Sequence, residues 1–215
     1  MKRVGVTTLL VLAGVCGCAT PSYNQGDSAS QAAKATAAET GTTQASLDAT
    51  MAALRELMGV KEGDLKGKFD AFAAAFDKLT ASVKSMQSKA DDMAARATAH
   101  LEKWEKDLAE IKSEDIKANS RKRKADIEAS VAKVKELAAN AKSESTPLLD
   151  GLGDIKKVLG TDLTQGGLST VRETAARLES NATALRATAV KFGAELQTLS
   201  TELSTGTPPP AEQKK

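Results

Sequence analysis

Two cysteines near the start of the chain are the residues whose setting most clearly points to chemistry. Cys16 and Cys18 follow the uncharged run VGVTTLLVLAGV (4–15), which itself follows Met1-Lys2-Arg3. An apolar stretch of about 12 residues is too short to span a hydrocarbon core of ~30 Å. A short apolar run behind a basic start is typical of a signal peptide. A cysteine at its end indicates a bacterial lipoprotein, in which the thiol of the first mature residue receives a diacylglyceryl group.

The neighbouring residues favour Cys18 as the acylated cysteine. Gly17 directly precedes Cys18, whereas the bulky Val15 directly precedes Cys16. Because the cleavage pocket is narrow, we expect cleavage between Gly17 and Cys18. Several acyl chains would hold the protein almost permanently, since each buried CH₂ contributes about 0.8 kcal/mol. The alternatives are an ordinary cleaved signal peptide and an uncleaved anchor.

Residues near both ends of the mature chain predict where in the cell envelope the protein is located. Ala19 follows the predicted first residue. By resemblance to sorting in enteric bacteria, a residue other than Asp there favours the outer membrane. We expect the body to face the periplasm, with exposure on the cell surface left open. Lys215, after a Pro-rich spacer, is similar in position to the lysine that joins a short enteric lipoprotein to peptidoglycan. The ordinary alternative is a solvated tail.

The residues needed for catalysis are scarce in this chain. His100 is the only histidine, and no free cysteine remains once Cys18 is acylated. A Ser-His-Asp or Cys-His triad would have to use His100, which is predicted to lie in the middle of a helix, and a di-iron bundle would need two Glu-x-x-His elements. We predict no enzyme activity, no metal, no small-molecule substrate and no cofactor beyond the covalent lipid on Cys18. His100 is expected to be interfacial or solvated, and Trp104 a packing anchor.

The densest run of charge consists of four consecutive basic residues. Such a run could contact lipid phosphate or an acidic partner. The alternative is a solvated helix face with acidic neighbours such as Asp126 and Glu128. The four residues are Arg121, Lys122, Arg123 and Lys124.

The overall charge excludes nucleic-acid partners. The formal charge of +2 comes from Lys2 and Arg3, so the mature chain carries equal numbers of basic and acidic residues. Nucleic-acid binding depends on neutralising phosphates, which a neutral body does poorly. The sequence also leaves no cysteine pair for a disulfide after processing.

Long helices must position whatever chemistry the chain performs. Apolar residues recur at alternating spacings of three and four, which is the pattern of coiled-coil packing, and aromatic residues make up only 3%. We predict an all-α fold, an elongated antiparallel four-helix bundle or coiled coil. The helices are expected at Leu47–Met58, from Asp64 to about Ile111, from about Asp115 to Leu159, and at Leu168–Leu203. The apolar spacing of the second helix shifts near Leu101, a stutter that locally unwinds a coiled coil. The third helix is expected to kink at Pro147.

The predicted domain organisation has four parts. A signal peptide (1–17) precedes a segment (18–44) that holds the acylated cysteine and a polar tether. The flexible tether proper is expected over 19–28, and residues 29–44 either belong to it or extend the first helix. The helical bundle covers 45–205. A Pro-rich flexible tail (206–215) completes the chain.

Several short motifs resemble a bacterial family known only as domain of unknown function 2959. They are Gly63-Asp64-Leu65, the motif LEKWEKDL (101–108) with Trp104-Glu105, Ile116 with Ser120, and Pro147-Leu148-Leu149. The chain departs from the family pattern after Leu159, where it reads VLGTDLTQGGL (158–168). The resemblance covers about Gly63 to Leu199. It implies a helical envelope protein without an assigned activity.

These observations predict a membrane-anchored envelope lipoprotein. It would act as a non-enzymatic spacer, scaffold or partner-binding coiled coil, with the membrane as one partner through its lipid and another envelope protein as a second. Two alternatives stay open. One is a membrane-active protein whose bundle opens onto lipid, and the other is a lipoprotein that tethers peptidoglycan through Lys215.

Overall fold

Four long α-helices make up the described part of the chain. The computed structural model describes residues 22–204, with α1 at Ser22–Met58, α2 at Leu65–Glu110, α3 at Glu114–Thr161 and α4 at Gln165–Leu203. Connections of a few residues make consecutive helices antiparallel. With 46 residues, α2 is about 69 Å long at a rise of ~1.5 Å per residue. The predicted all-α four-helix bundle is confirmed.

The helices form a square in which only neighbours touch. Within residues 22–204, α1 and α3 each pack against α2 and α4, while the two diagonal pairs do not approach each other. The α2–α3 pair is the loosest of the four. One end, here called the terminal end, carries Ser22, the connection 111–113 and Ser204. The opposite end, the loop end, carries the connections 59–64 and 162–164.

The predicted apolar stripes form the core. Every residue of the α4 stripe is buried, from Leu168 to Leu203, and Phe192 in its middle is fully buried. The stripes of α2 and α3 are buried along most of their length, although Phe69 and Phe76 remain half-buried. The spacing of three and four therefore identified the faces that meet.

The first helix is longer than the sequence predicted. It begins at Ser22, so the expected flexible tether over 19–28 is wrong for residues 22–28, and the alternative that 29–44 extend the first helix is confirmed. This half of α1 buries small and polar residues rather than large apolar ones. Ala29 and Ala33 are fully buried. Because these side chains are small, α1 can lie close to both α2 and α4.

Hydroxyl groups buried in α1 find backbone partners. The Thr36 hydroxyl donates to the Ala32 carbonyl at 2.8 Å and also lies 3.1 Å from the Lys89 carbonyl of α2. Ser30 donates to the Ser200 carbonyl of α4 at 2.7 Å. A satisfied hydroxyl can be buried at little cost, so a polar sequence can still form a core helix.

The loop end is closed by hydrogen bonds. Gly59 and Gly63 lie after α1, and Gly63 has a φ of 103°, a conformation that favours glycine. Asp64 caps α2 by accepting from the Gly67 amide at 2.7 Å. The Gln165 side-chain amide donates to the Val60 and Lys61 carbonyls at 3.1 and 3.3 Å, which joins the two connections.

Pro147 lies inside α3, which continues through it to Thr161. Proline lacks the N–H that would bond to the Ser143 carbonyl. The hydroxyls of Ser145 and Thr146 both donate to the Lys142 carbonyl at 3.0 Å. The predicted kink at this position, like the stutter in α2, stays a prediction.

Candidate functional site

A cavity of about 350 Å³ opens at the terminal end, where all four helices contribute to its walls. This volume lies within the range of small-molecule sites. The only tyrosine, the only tryptophan and the only histidine of the chain all line it. The lining residues are Ser22, Tyr23, Gly26, His100, Trp104, Asp107, Leu108, Ile111, Arg123, Ile127, Glu202, Leu203 and Ser204.

His100 projects from α2 into the packed interface with α1. It is 7% exposed, and a Cβ built on Gly26 would lie 3.2 Å from its Cε1 atom. Burial lowers the pKa of His100, and hydrogen bonding to the Ser22 backbone raises it by a smaller amount. The ring is therefore neutral at physiological pH. Its Nδ1 atom is buried and has no hydrogen-bond partner.

Trp104 lies one turn beyond His100 on the same face of α2. The two ring centroids are 5.5 Å apart at an angle of 44°. The indole N–H donates to the Ser120 hydroxyl of α3 at 2.9 Å. This bond holds the ring across the α2–α3 seam, and Trp104 lines the cavity. Tyr23, at the start of α1, is 59% exposed and forms part of the rim.

Two opposite charges lie on the α1–α2 side of the cavity. Asp107 accepts from the Lys103 ammonium one turn earlier and from the Ser22 hydroxyl. The hydrogen bond from Lys103 contributes most to lowering the pKa of Asp107, and the bond from Ser22 contributes less. The carboxylate of Asp107 is thus ionised, and the Lys103 ammonium balances its charge. The bond from Ser22 also holds the first turn of α1 against α2.

Arg123 and Glu202 face the cavity from α3 and α4. The Arg123 guanidinium donates to the main-chain carbonyl of Glu202 at 3.0 Å, which satisfies one of the last carbonyls of α4. The Glu202 Oε2 atom is buried and has no hydrogen-bond partner. Two residues of the cavity lining, His100 and Glu202, thus each carry one buried polar atom without a hydrogen-bond partner.

The structure separates the four residues of the basic run. The Lys124 side chain is 14% exposed and pairs with Glu128 at 2.6 Å and Glu105 at 3.1 Å, and the bond with Glu128 is the main reason that its pKa is raised. Arg123 holds the end of α4. Arg121 and Lys122 are exposed. The phosphate-binding patch stays a prediction, and two of its four residues already make intramolecular contacts.

The remaining predicted site residues cannot be located in the fold. Gly17 and Cys18, the predicted cleavage and acylation site, lie outside the described residues, as does Lys215. Within residues 22–204, no group of three or more His, Cys, Asp or Glu side chains is arranged to hold a metal ion. In the same range, no helix is long and apolar enough to cross a membrane.

Two larger cavities lie along the loose α2–α3 seam, with volumes of about 410 and 450 Å³. In their linings, Lys124 bridges two glutamates, and Lys135 donates to the Thr98 hydroxyl at 3.0 Å. The terminal cavity differs because residues of all four helices meet there, including the only histidine and the only tryptophan of the chain. We therefore take the terminal end as the stronger candidate.

Sequence reasoning missed this site because its residues come from four helix termini. His100 and Trp104 were each assigned a packing role, which their contacts support in part. A signal was available, since the only histidine and the only tryptophan are spaced by one helical turn. No pattern in the sequence indicated that Tyr23 and Glu202 would join them.

Comparison with known proteins places the chain in a family. A family model described as "Protein of unknown function (DUF2959)" matches residues 27–192. No curated protein and no solved structure matches the chain. The match spans all of α2 and α3 and most of α1 and α4, and it includes His100, Trp104 and Arg123. The chain belongs to the DUF2959 family.

Proposed function

We propose that this chain is a non-enzymatic cell-envelope lipoprotein whose bundle stands on a membrane as a rod. The observation that carries the proposal is that Ser22 and Ser204 lie at the same end of the bundle. Cys18 precedes Ser22 by four residues, which span at most ~14 Å. Acyl chains on Cys18 would hold the terminal end near the lipid surface, and the loop end would point away by about the length of α2.

Ion pairs between helices support a role as a stiff spacer. Lys89 of α2 pairs with Glu39 of α1 at 2.6 Å, and Lys156 of α3 pairs with Asp77 of α2 at 2.6 Å. Each exposed pair contributes only about 0–1 kcal/mol. Because such pairs recur along the rod, they fix the register of neighbouring helices. A rod of defined length can set a distance or present a face to another envelope protein.

The location in the cell envelope follows from the predicted acylation. We propose the periplasmic face of the outer membrane, because Ala19 rather than Asp would follow the acylated cysteine. The neutral body supports anchoring by lipid rather than by attraction to anionic headgroups. Covalent attachment of Lys215 to the cell wall is a second question for the same experiment.

The test compares two cysteine variants of the full chain in cells. Intact masses of envelope protein extracted with detergent should show residues 18–215 plus a diacylglyceryl group and an amide-linked acyl chain. Cys18→Ala should lose both lipids and leave the detergent phase, and Cys16→Ala, its matched control, should keep them. Lipid retained in Cys18→Ala, or a mature chain that starts elsewhere without lipid, would refute the anchor. A muropeptide adduct would identify Lys215 as a tether.

A further inference from the structure

The seam between α2 and α3 is the loosest side of the bundle, and two cavities open along it, between residues 86–105 of α2 and residues 124–142 of α3. Beside these cavities the two helices carry small side chains. Ala94 is half-buried, and Ala132 and Ala139 are exposed. Because these side chains are short, a second surface could approach both helices closely. Within residues 22–204, no further helix covers the seam.

The two walls of the seam carry opposite free charges. Asp91 and Glu102 line the cavities from α2, and Lys135 and Lys142 line them from α3. All four residues are exposed, and within the described part of the chain none of them forms an ion pair. The other charged residues of the two linings pair with one another inside the chain, and they are Glu105, Lys124 and Glu128.

The free charges of the two walls lie at matching levels along the rod. Asp91 and Lys142 line the same cavity, so they lie at one level. Lys135 donates to Thr98, which lies one turn before Glu102 on α2. Lys135 and Glu102 therefore lie within about one turn of each other along the rod, and both line the second cavity.

Two-fold symmetry can relate two copies that meet on this face in two ways. With the axis parallel to the helices, α2 of each copy lies against α3 of the other, and equal levels meet. With the axis across the helices, α2 lies against α2 and α3 against α3. The first arrangement brings opposite free charges together and the second brings like charges together. Because like charges that face each other disfavour association, the charges select the parallel arrangement.

We propose that the protein forms a parallel homodimer across the α2–α3 seam, in which Asp91 of each copy pairs with Lys142 of the other, and Glu102 pairs with Lys135. The face along residues 86–105 is about 30 Å long, and two adjacent helices are about 20 Å wide. Each copy would therefore bury about 600 Å². A total of about 1,200 Å² is at the lower limit of a specific interface, so we expect the dimer to dissociate reversibly.

A second copy fits this surface better than a single helix of another protein. Each copy supplies an acidic and a basic wall at the levels where the other copy has the opposite charge. A lone helix would have to carry both signs on opposite flanks of one narrow surface. The parallel arrangement also leaves both terminal ends on the same side, as two chains anchored in one membrane require. The pairing uses only described residues, so it does not depend on the anchor at Cys18.

Sedimentation of the full chain carrying Cys16→Ser and Cys18→Ser, which cannot form a disulfide, tests the dimer. We expect a monomer–dimer equilibrium. Asp91→Lys and Lys142→Asp should each raise the dissociation constant at least about tenfold, because each places like charges together twice in one dimer. Lys191→Asp is the control and should change nothing, since Lys191 is exposed on α4, which does not touch α2. A parent chain that is only monomeric, or charge reversals without effect, would overturn the proposal.

An equimolar mixture of Asp91→Lys and Lys142→Asp tests the pairing itself. Each variant repels its own copy, whereas in a mixed dimer both contacts between these positions again join opposite charges. The mixture should therefore regain the dissociation constant of the parent chain. A mixture that stays monomeric, while both variants keep the circular dichroism of the parent, would overturn the parallel arrangement. Association of the parent that does not weaken with added salt would contradict pairing by charge.

Discussion

The two ends of the bundle are built from the same four helices, but they differ in how well their buried side chains are packed and hydrogen-bonded. At the loop end, Phe72 is fully buried, its ring centroid lies 6.4 Å from that of Phe76, and the Lys156 ammonium lies 5.6 Å from the centroid of Phe76. At the terminal end, the only tryptophan and the only histidine line a cavity, and His100 and Glu202 each carry a buried polar atom without a partner. Buried polar atoms without partners are rare in native proteins and often mark functional sites. The contrast indicates that the loop end is the better packed of the two and that the terminal end is the candidate site.

The largest predicted effect lies at the loop end. Phe72→Ala should lower the free energy of unfolding by about 3–5 kcal/mol, because it leaves a cavity in a fully packed region. Ile111→Ala, at the cavity wall of the terminal end, removes a half-buried side chain beside existing space and should cost about 1 kcal/mol. Urea denaturation followed by circular dichroism measures both. Similar losses at the two ends would mean that the terminal end is as tightly packed as the loop end.

A second prediction concerns pH and the buried histidine. The pKa of His100 in the folded state lies below its unfolded value of ~6.5, so the unfolded state binds the proton more tightly. Stability should therefore fall as pH drops below about 6.5, with a slope of at most ~1.4 kcal/mol per pH unit for one proton. Stability stops falling once the pH is below the pKa of His100 in the folded state.

The control for this slope is His100→Gln, which keeps a polar side chain without a titration in this range. The neighbouring charged groups Asp107, Glu202 and Arg123 remain in both proteins. Thermal melts between pH 7.5 and 5 should converge or cross as the wild type loses stability. Parallel pH profiles for the two proteins would show that His100 is not held neutral by burial.

A third prediction reverses the usual sign of a substitution. Glu202→Met should raise stability by about 1 kcal/mol, since it removes a buried acceptor that lacks a donor. Glu195→Met should lower stability by less than about 1 kcal/mol because it breaks the pair with Lys133. Chemical denaturation of the two variants decides the question. Destabilisation by Glu202→Met would mean that its carboxylate is satisfied in solution.

The smallest predicted effect compares two glycines of α1. Alanine favours a helix over glycine by about 1 kcal/mol, and nothing lies within 4 Å of a Cβ placed on Gly41. Gly41→Ala should therefore stabilise the protein by about 0.5–1 kcal/mol. A Cβ on Gly26 would lie 3.3 Å from the Leu203 carbonyl, so Gly26→Ala should gain less. Equal gains in melting temperature would indicate that α1 is not tightly packed at the terminal end.

The four-helix bundle of this molecule could be predicted from the sequence, but its candidate site could not. Both outcomes have physical reasons. The α4 stripe was correct because Leu and Phe at spacings of three and four bury area on one face only. The start of α1 was wrong for residues 22–28 because they are mostly polar in the sequence, yet Ser22 donates to Asp107 and Ser28 accepts from Arg96 of α2 once the helix packs. The cavity depends on how four helix ends meet. Such long-range geometry leaves no period in the sequence.

Energy transfer from tryptophan to the membrane reports which end of the rod lies near the lipid. Native protein in vesicles with acceptor-labelled headgroups would be compared with a variant in which Trp104→Phe and Phe69→Trp move the single tryptophan to the loop end. Residues 69 and 104 are about 52 Å apart along α2 at ~1.5 Å per residue. We expect strong transfer from Trp104 and almost none from position 69. Equal transfer from both positions, or stronger transfer from position 69, would contradict a rod that stands on its terminal end.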